Sequence, residues 1–535
     1  MTHMKSTKKL LALLLSAILL LSLLPAAFAT GADTDAGAAG NTPAEANPTT
    51  DNQKFHLNIT NTYPKHVFEL YQVFTGTLHT DTTQADGVET TIRYLSDIAF
   101  GTAWTNTTGK DISTIVDKFK TSADNNWNVL VAENGATPKL YDSKTCAENA
   151  STVTFDNLDA GYYIAREVTP SDVMGNVTYS SVIVQVVENV NVASKHGTAT
   201  SQKKVMDTND STGATTGWQD SADYDIGDKV PFQLTATVAK NIQDFKGPYA
   251  LTFHDTQSKG LTFNPDSVVV KIDGQTVTSG YTVVTQGIDD NCTFHVKFDD
   301  LRAYKEQSIH VHGGSVVTVE YTSTLNEHAQ IGAAGNPNDM HITFSNNPNS
   351  TDPDEDGETP NDRVIVFTYQ LQVLKYNGTD AGPNELPMEG AEFTLYKKNP
   401  AGGYDLVKTI TPEKAEDTGY GVKFAYNFVG VDDGVYKLEE TKAPAGFNTA
   451  DPIYFTISAT HQENADNPQL IEVKGTDPIT NTTDHKLHVA VHNYRGNTLP
   501  STGGMGTTVF YVLGSILAVG AAILLVSKKR MNGAR

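Results

Sequence analysis

A lysine, a glutamate and an asparagine in the C-terminal part of the chain each continue a strand face that is otherwise apolar. Every second residue from 365 to 373 is apolar or aromatic, and Lys375 is next in that series. Glu440 and Asn493 take equivalent positions in two later alternating runs. Alternate side chains of a strand share one face, so all three are expected in a hydrophobic core. Burying any of them alone is costly, and we therefore expect them to contact one another.

The preceding part of the chain contains the same three residue types in the same kind of pattern. Lys203 shares a strand face with Val205, and Asp255 and Asn346 each continue an alternating apolar face. One such coincidence is weak, but two sets in consecutive segments indicate a shared role. The alternative in each segment is a buried ion pair beside a hydrogen-bonded asparagine.

Buried lysine, carboxyl and asparagine side chains can react with one another. Desolvation lowers the pKa of the lysine and raises the pKa of the acid, so a neutral amine can face a protonated carboxyl group. The amine can attack the asparagine carbonyl while the acid holds the carbonyl oxygen and shuttles protons. Ammonia leaves and a Lys–Asn amide remains. Holding the reactants in contact can lower the activation free energy by roughly 7–11 kcal/mol.

The C-terminal end carries a second reactive sequence, Leu499-Pro500-Ser501-Thr502-Gly503. An apolar run at 509–526 predicts a short transmembrane helix, and basic residues at 528–530 predict a cytoplasmic end. This order resembles the cell-wall sorting signal of Gram-positive surface proteins. The resemblance implies that a sortase cuts between Thr502 and Gly503 and joins the threonine carbonyl to an amine.

The N-terminal end predicts export. Residues 1–29 have the basic, apolar and small-residue regions of a signal peptide, and residues 30–52 are predicted to be a disordered lead-in. The formal charge of −23 becomes −30 when three basic residues leave with the signal and four with the tail. Nucleic acid is therefore not an expected partner. Cys146 and Cys292 fall in different segments, so no disulfide is expected.

The body of the chain is predicted to be all-β. Short alternating strands and frequent turns favour three tandem immunoglobulin-like β-sandwiches. We place an N-terminal domain at 53–193, a second domain at 194–350 and a third at 363–496, with the sorting signal at 499–535. An acidic, proline-containing linker separates the second domain from the third.

The third domain resembles a known surface-protein module. Residues 388–396 and 436–447 are similar to the collagen-binding B-type domain of Gram-positive surface proteins. The second of these segments resembles the pilin E-box, YxLxETxAPxGY, with Phe447 in place of the final tyrosine.

The first two domains extend the resemblance. The second domain is similar to the isopeptide-forming fimbrial domain at residues 227–232, at Asp255-Thr256 and at 345–348. Residues 71–76 resemble the N-terminal domain of the same proteins. The whole is similar to a major (shaft, or backbone) subunit of a sortase-assembled Gram-positive pilus.

That resemblance implies an extracellular structural protein, attached to the cell wall, that crosslinks itself once and is not otherwise an enzyme. It implies these pairs: Lys375–Asn493 with Glu440 as catalyst, and Lys203–Asn346 with Asp255. The implied partners are pilus-type and housekeeping sortases, further copies of this chain, minor pilins, peptidoglycan and an unidentified host or bacterial surface ligand. No cofactor is expected.

Polymerisation requires an exposed lysine to accept Thr502. The family often uses a YPK-type motif at the joint between the first and second domains. Lys195 has the expected position but lacks the Tyr-Pro, whereas Tyr63-Pro64-Lys65 matches the motif but lies in a predicted turn of the first domain. We favour Lys195. The alternative function is a monomeric wall-anchored adhesin or accessory pilin built from the same domains.

Three smaller features of the sequence lead to no assigned site. Glu167 shares an apolar face in the first domain but has no evident lysine or asparagine partner, so no crosslink is assigned there. His310 and His312 share a strand face without a third ligand, and an EF-hand-like start at Asp352 has Arg363 at its twelfth position. No metal site is therefore expected.

Overall fold

The computed structural model describes residues 53–85, 88–121, 126–305, 309–350, 357–378, 388–411, 425–481, 486–495 and 505–532. These residues form three tandem two-sheet β-sandwiches and a C-terminal helix. The prediction of an all-β chain with three sandwich domains is confirmed. The signal peptide, the lead-in and the LPSTG sequence lie outside the described residues.

The first domain packs a three-stranded sheet against a five-stranded sheet. Its strands are β1 (Phe55–Thr60), β2 (Val67–Ala85), β3 (Val88–Phe100), β4 (Asp142–Thr145), β5 (Thr152–Leu158), β6 (Gly161–Glu167), β7 (Ser181–Val186) and β8 (Val190–Ala193). The order is β5-β1-β8 in one sheet and β3-β2-β6-β7 in the other, with β4 paired to β2.

The first domain also contains three helices that the sequence reading missed. They are α1 (Ile112–Thr121), α2 (Asn126–Asn134) and α3 (Ser171–Met174). The signal for α1 was present, because Ile112, Ile115, Val116 and Phe119 follow the i, i+3, i+4, i+7 spacing of an amphipathic helix. Those side chains pack onto the core of the domain.

The second domain packs a six-stranded sheet against a seven-stranded sheet. Its strands are β9 (Thr200–Asn209), β10 (Ala214–Gln219), β11 (Ser221–Asp223), β12 (Lys229–Thr237), β13 (Leu251–Gln257), β14 (Leu261–Ile272), β15 (Gln275–Val277), β16 (Thr282–Val284), β17 (Phe294–Phe298), β18 (Val316–Leu325), β19 (Asn336–Phe344), β20 (Gly357–Glu358) and β21 (Asp362–Phe367). The orders are β10-β9-β12-β18-β14-β15 and β11-β21-β19-β13-β17-β16, with β20 on β19. Short 3-10 turns occupy Ile242–Asp244, Leu301–Ala303 and Gly332–Ala334.

The boundary between the second and third domains differs from the prediction. Strands β20 and β21 pair with β19, so the second domain continues past residue 350 and includes the predicted start of the third. Val364 and Val366 of β21 lie in the core of the second domain, whereas Ile365 and Phe367 lie in the core of the third. One strand thus belongs to two cores, which sequence alternation alone could not reveal.

The third domain begins where β21 ends. Its strands are β22 (Tyr369–Asn377), β23 (Glu392–Lys398), β24 (Tyr404–Ile410), β25 (Ala425–Val431), β26 (Gly434–Lys442), β27 (Ile453–His461), β28 (Leu470–Gly475), β29 (Thr480–Asn481) and β30 (Leu487–Asn493). They form sheets of order β25-β22-β30-β29 and β24-β23-β26-β27-β28. The first strand, β22, and the last, β30, are parallel neighbours.

A buried ionic cluster also joins the second and third domains. Lys397 Nζ on β23 lies 2.9 Å from Asp210 Oδ2 and 3.0 Å from Asp225 Oδ2 of the second domain, and it also contacts Asp432. Burial favours a neutral amine, but the surrounding carboxylates hold the pKa of Lys397 above its usual value. Removing this lysine would leave buried carboxylates without a counterion, so it fastens one domain to the other.

The C-terminal segment forms helix α4 (Met505–Asn532). Within the part of the chain that the structure describes, no helix combines the length and apolar character needed to cross a membrane. The transmembrane span predicted at 509–526 is therefore not confirmed.

Candidate crosslinking sites

The third domain brings the predicted lysine, glutamate and asparagine together. Lys375 on β22 is fully buried, and its Nζ lies 3.8 Å from Glu440 Oε1 on β26. The other carboxylate oxygen, Oε2, accepts a hydrogen bond of 2.7 Å from Asn493 Nδ2. The carboxyl group therefore lies between the amine and the amide, and the three side chains share a core, as the strand faces predicted.

Strand register explains how these side chains meet. In the parallel β22–β30 pair, Lys375 lies opposite Val491 and its amine donates to the Val491 carbonyl oxygen at 3.1 Å. Asn493 follows on the same face of β30. Among the described groups, neither Asn493 Oδ1 nor Glu440 Oε1 has a hydrogen-bond partner. These two buried oxygens are thus left without a donor in the described structure.

The environment favours the reactive form of the lysine. Burial lowers the pKa of Lys375 to about 8, although the nearby Glu440 carboxylate opposes the shift. The amine therefore loses its proton more readily than a lysine in water. Since only the neutral amine can attack a carbonyl carbon, this shift assists amide formation.

The second domain holds a lysine–carboxyl pair of the same kind. Lys203 and Asp255 are both fully buried and in contact, and Tyr321 lies beside them. The Tyr321 hydroxyl donates to Asp255 Oδ2 at 2.8 Å and accepts from Lys203 Nζ at 3.1 Å. Burial lowers the pKa of Lys203 and raises the pKa of Asp255. Both shifts favour a neutral amine facing a protonated acid.

The asparagine beside this pair is Asn338, and the predicted Asn346 is wrong. Asn338 is fully buried, and its Nδ2 donates to the Tyr321 hydroxyl at 2.9 Å. Its Oδ1 has no hydrogen-bond partner among the described groups. Asn346 lies beyond the end of β19, roughly 26 Å along an extended chain from Asn338.

The error has a simple physical cause. Both asparagines follow the same alternation. Alternation identifies the face of a strand on which a side chain lies, but not which residue of the neighbouring strand lies opposite it. The pairing of β19 with β13 decides this: Asn338 lies opposite Gln257, and Met340 lies opposite Asp255. That register depends on contacts between distant segments of the chain.

The first domain has a buried acid with different partners. Glu167 accepts hydrogen bonds from His66 Nδ1 at 2.5 Å, His196 Nε2 at 2.8 Å and the Ser180 backbone at 2.9 Å. Burial favours the protonated acid, yet these hydrogen bonds keep the pKa of Glu167 below its usual value. In the described part of the domain no lysine contacts Glu167, so it supports no Lys–Asn amide.

The two candidate polymerisation lysines lie near each other. Lys195 is exposed on the segment between β8 and β9, where its backbone N–H donates to Ser180 Oγ at 2.9 Å. Lys65 is exposed in the turn between β1 and β2. That turn packs on the joint, because the Tyr63 and His196 ring centroids are 5.3 Å apart. The YPK sequence thus lies in the predicted turn of the first domain, and that turn is beside the joint.

Two segments match described protein families. Residues 372–469 match the SpaA prealbumin-like fold domain, and residues 493–533 match the LPXTG cell wall anchor motif. The chain carries a SpaA domain and a wall anchor. The SpaA match includes both Lys375 and Glu440, and the anchor makes this a wall-attached surface protein of the Gram-positive type.

This chain is similar in sequence to a surface protein and to a fimbrial subunit. It is 24% identical over 348 residues to the trypsin-resistant surface T6 protein of Streptococcus pyogenes serotype M6, spanning 52% of this chain and 60% of that protein. It is 25% identical over 350 residues to fimbrial subunit type 1 of Actinomyces viscosus, spanning 58% and 62%. The chain thus spans less than two thirds of the length of either relative.

The fold is shared with a solved structure. The T6 backbone pilin of serotype M6 Streptococcus pyogenes, a modular three-domain protein, matches with a TM-score of 0.52 at 18% identity. The match covers 83% of this chain and 99% of that one. Identity this low establishes the fold alone. The predicted resemblance to Gram-positive pilins is confirmed.

Intact mass distinguishes the two asparagines of the second domain. The full chain should be lighter than its sequence mass by about 34 Da, because each of two Lys–Asn amides releases one ammonia of about 17 Da. Asn338→Ala should halve this deficit, whereas the matched Asn346→Ala should leave it unchanged. A full deficit in Asn338→Ala would refute the assignment of Asn338.

Two glutamate variants test the role of Glu440 in the third domain. Glu440→Ala should leave Lys375 and Asn493 unlinked, since the proton carrier is gone, and should lower the stability of the domain. We expect a loss of about 2–5 kcal/mol by analogy with removal of a disulfide. Glu439→Ala, on the opposite strand face, should keep the link. Mass spectrometry and thermal unfolding check both variants, and an intact link in Glu440→Ala would contradict this role.

Proposed function

We propose that this protein is the shaft subunit of a covalently assembled surface pilus. Sortase joins Thr502 of one subunit to Lys195 of the next, and Lys–Asn amides stiffen the second and third domains. The observation that carries the proposal is the buried contact of Lys375, Glu440 and Asn493 between the first and last strands of the third domain.

The chemistry follows from the positions of these groups. The neutral Lys375 amine attacks Cγ of Asn493, and a C–N bond forms as the carbonyl oxygen takes up negative charge. Glu440 donates a hydrogen bond to that oxygen and carries a proton from the attacking nitrogen to the leaving nitrogen. Ammonia departs and the carbonyl re-forms. Each subunit performs this step once, so the protein is a self-modifying structural protein and not a turnover enzyme.

The positions of the crosslinks suit a chain under tension. The chain enters the third domain at β22 and leaves it toward Thr502 from β30. An amide between Lys375 and Asn493 passes force directly from one strand to its neighbour, so the rest of the domain carries little load. A Lys203–Asn338 amide would join β9 and β19, which belong to the two different sheets of the second domain.

The two ends of the intersubunit bond lie on different parts of the chain. Thr502 follows the third domain, whereas Lys195 lies at the joint of the first and second domains. Such a head-to-tail contact can repeat from subunit to subunit, and it builds a fibre where the repeat does not close into a ring. A pilus-type sortase would form these bonds, and a housekeeping sortase would transfer the finished fibre to peptidoglycan. Minor pilins and a host or bacterial surface ligand complete the proposed partners.

Polymerisation is tested in the native host by gel electrophoresis of wall extracts. The wild-type chain should give a ladder of high-mass species that survives boiling in denaturant, because the links are covalent. Lys195→Ala should abolish the ladder, and Lys65→Ala, which removes an exposed lysine from the adjacent turn, should leave it intact.

The other outcomes of this experiment are also informative. A ladder that persists in Lys195→Ala but disappears in Lys65→Ala identifies the YPK turn as the acceptor. If the wild-type chain gives only a monomer in its native host, the shaft function is wrong. The monomeric wall-anchored adhesin or accessory pilin then takes its place.

A further inference from the structure

Four potential metal ligands meet on the outer face of the second domain. His254 on β13 lies directly opposite His295 on β17 in the antiparallel register. Asp290 and Cys292 come from the loop that leads into β17. The group is assembled by strand pairing, because His254 is distant in sequence from the other three. Sequence spacing alone had given no reason to expect it.

The distances within this group suit a small cation. Asp290 Oδ2 lies 2.8 Å from His254 Nδ1 and 3.0 Å from His295 Nε2. One ligand atom from each of the four residues, Cys292 included, lies within 4.8 Å of the others. A tetrahedral zinc ion with bonds of 2.0–2.3 Å holds its ligand atoms roughly 3.3–3.8 Å apart. Only small side-chain movements separate the present arrangement from that geometry.

We propose that His254, Asp290, Cys292 and His295 bind one zinc ion. Two imidazoles, a carboxylate and a thiolate are all ligands that zinc accepts in four-coordinate protein sites. The carboxylate and the thiolate together balance the two positive charges of the ion. The mixed nitrogen, oxygen and sulfur set does not suit calcium or magnesium, which prefer oxygen ligands.

The surroundings hold these ligands in place. The loop is tied to β13 because Thr293 N–H donates to the Asp255 carbonyl at 2.6 Å. The Cys292 backbone N–H donates to Asp290 Oδ1 at 3.1 Å, which orients that carboxylate. His254 Nε2 lies 2.9 Å from Thr343 Oγ1, so a proton on Nε2 is satisfied there and the Nδ1 lone pair faces the metal position.

The site is also open to solvent. The His254 and His295 side chains are 12% and 16% exposed, and Asp290 is 40% exposed. Zinc can therefore reach the ligands without unfolding of the domain. A bound ion would clip the β17 loop to β13 on the face opposite Asp255. It would fasten the second domain independently of the Lys203 crosslink.

Two other clusters of the same residue types are already occupied by contacts within the protein. His66, Glu167 and His196 are closed from solvent and already bonded to one another. The carboxylates around Asp225 and Asp432 already surround the Lys397 ammonium group. In the second domain, by contrast, His254, Asp290 and His295 are partly exposed to solvent.

Zinc and cobalt titrations of the reduced, purified full chain test this site. Calorimetry should show one zinc ion bound per chain. Cobalt should give the intense visible bands of a tetrahedral ion and a near-ultraviolet thiolate-to-metal band. Cys292→Ser should remove the thiolate band, and both Cys292→Ser and His295→Ala should weaken zinc binding by at least about 10-fold.

The control is His312→Ala, which removes an exposed histidine of the same domain outside the cluster and should bind zinc like the wild type. Circular dichroism and thermal unfolding establish that each variant is folded. Asp290→Asn serves as a second ligand variant if Cys292→Ser does not fold. A wild-type chain that binds no zinc overturns the proposal, as does binding that all folded ligand variants retain.

Discussion

A lysine amine buried against a carboxyl group is the constraint on which the second and third domains depend. Lys203 and Lys375 are both fully buried, and their side-chain amines are paired with Asp255 and Glu440, respectively. A buried ion pair is weak evidence for stability, because desolvation offsets the attraction between the charges. An amide to the neighbouring asparagine removes both charges and leaves a covalent tie. The contact therefore makes chemical sense as a reactant arrangement, and less sense as a permanent salt bridge.

The joint between the second and third domains is continuous, so force carried by an amide in one domain would pass into the other. Strand β21 pairs in the second domain and contributes Ile365 and Phe367 to the core of the third. Lys397 adds a buried ionic contact across the same joint. Separating the domains would expose apolar side chains and leave charges unpaired, so both costs resist bending. Cys146 and Cys292 are free and lie in different domains, so no disulfide between them contributes.

Sequence reasoning succeeded where a local pattern decides the outcome and failed where register decides it. Strand alternation was enough to place Lys375, Glu440 and Asn493 in one core. The same pattern could not distinguish Asn338 from Asn346, because only the pairing of β19 with β13 decides which asparagine lies near Asp255. The end of the second domain was misplaced because β21 faces two cores. The His254 and His295 cluster was invisible because the residues meet only across paired strands.

Peptide mapping of the folded wild-type chain by tandem mass spectrometry tests the central claim most directly. After proteolysis, the peptide containing Lys203 should be joined to the peptide containing Asn338, and the Lys375 peptide to the Asn493 peptide. Each joined pair should be lighter than the sum of its parts by about 17 Da, the mass of one ammonia. Recovery of all four residues in separate, unmodified peptides would contradict the account.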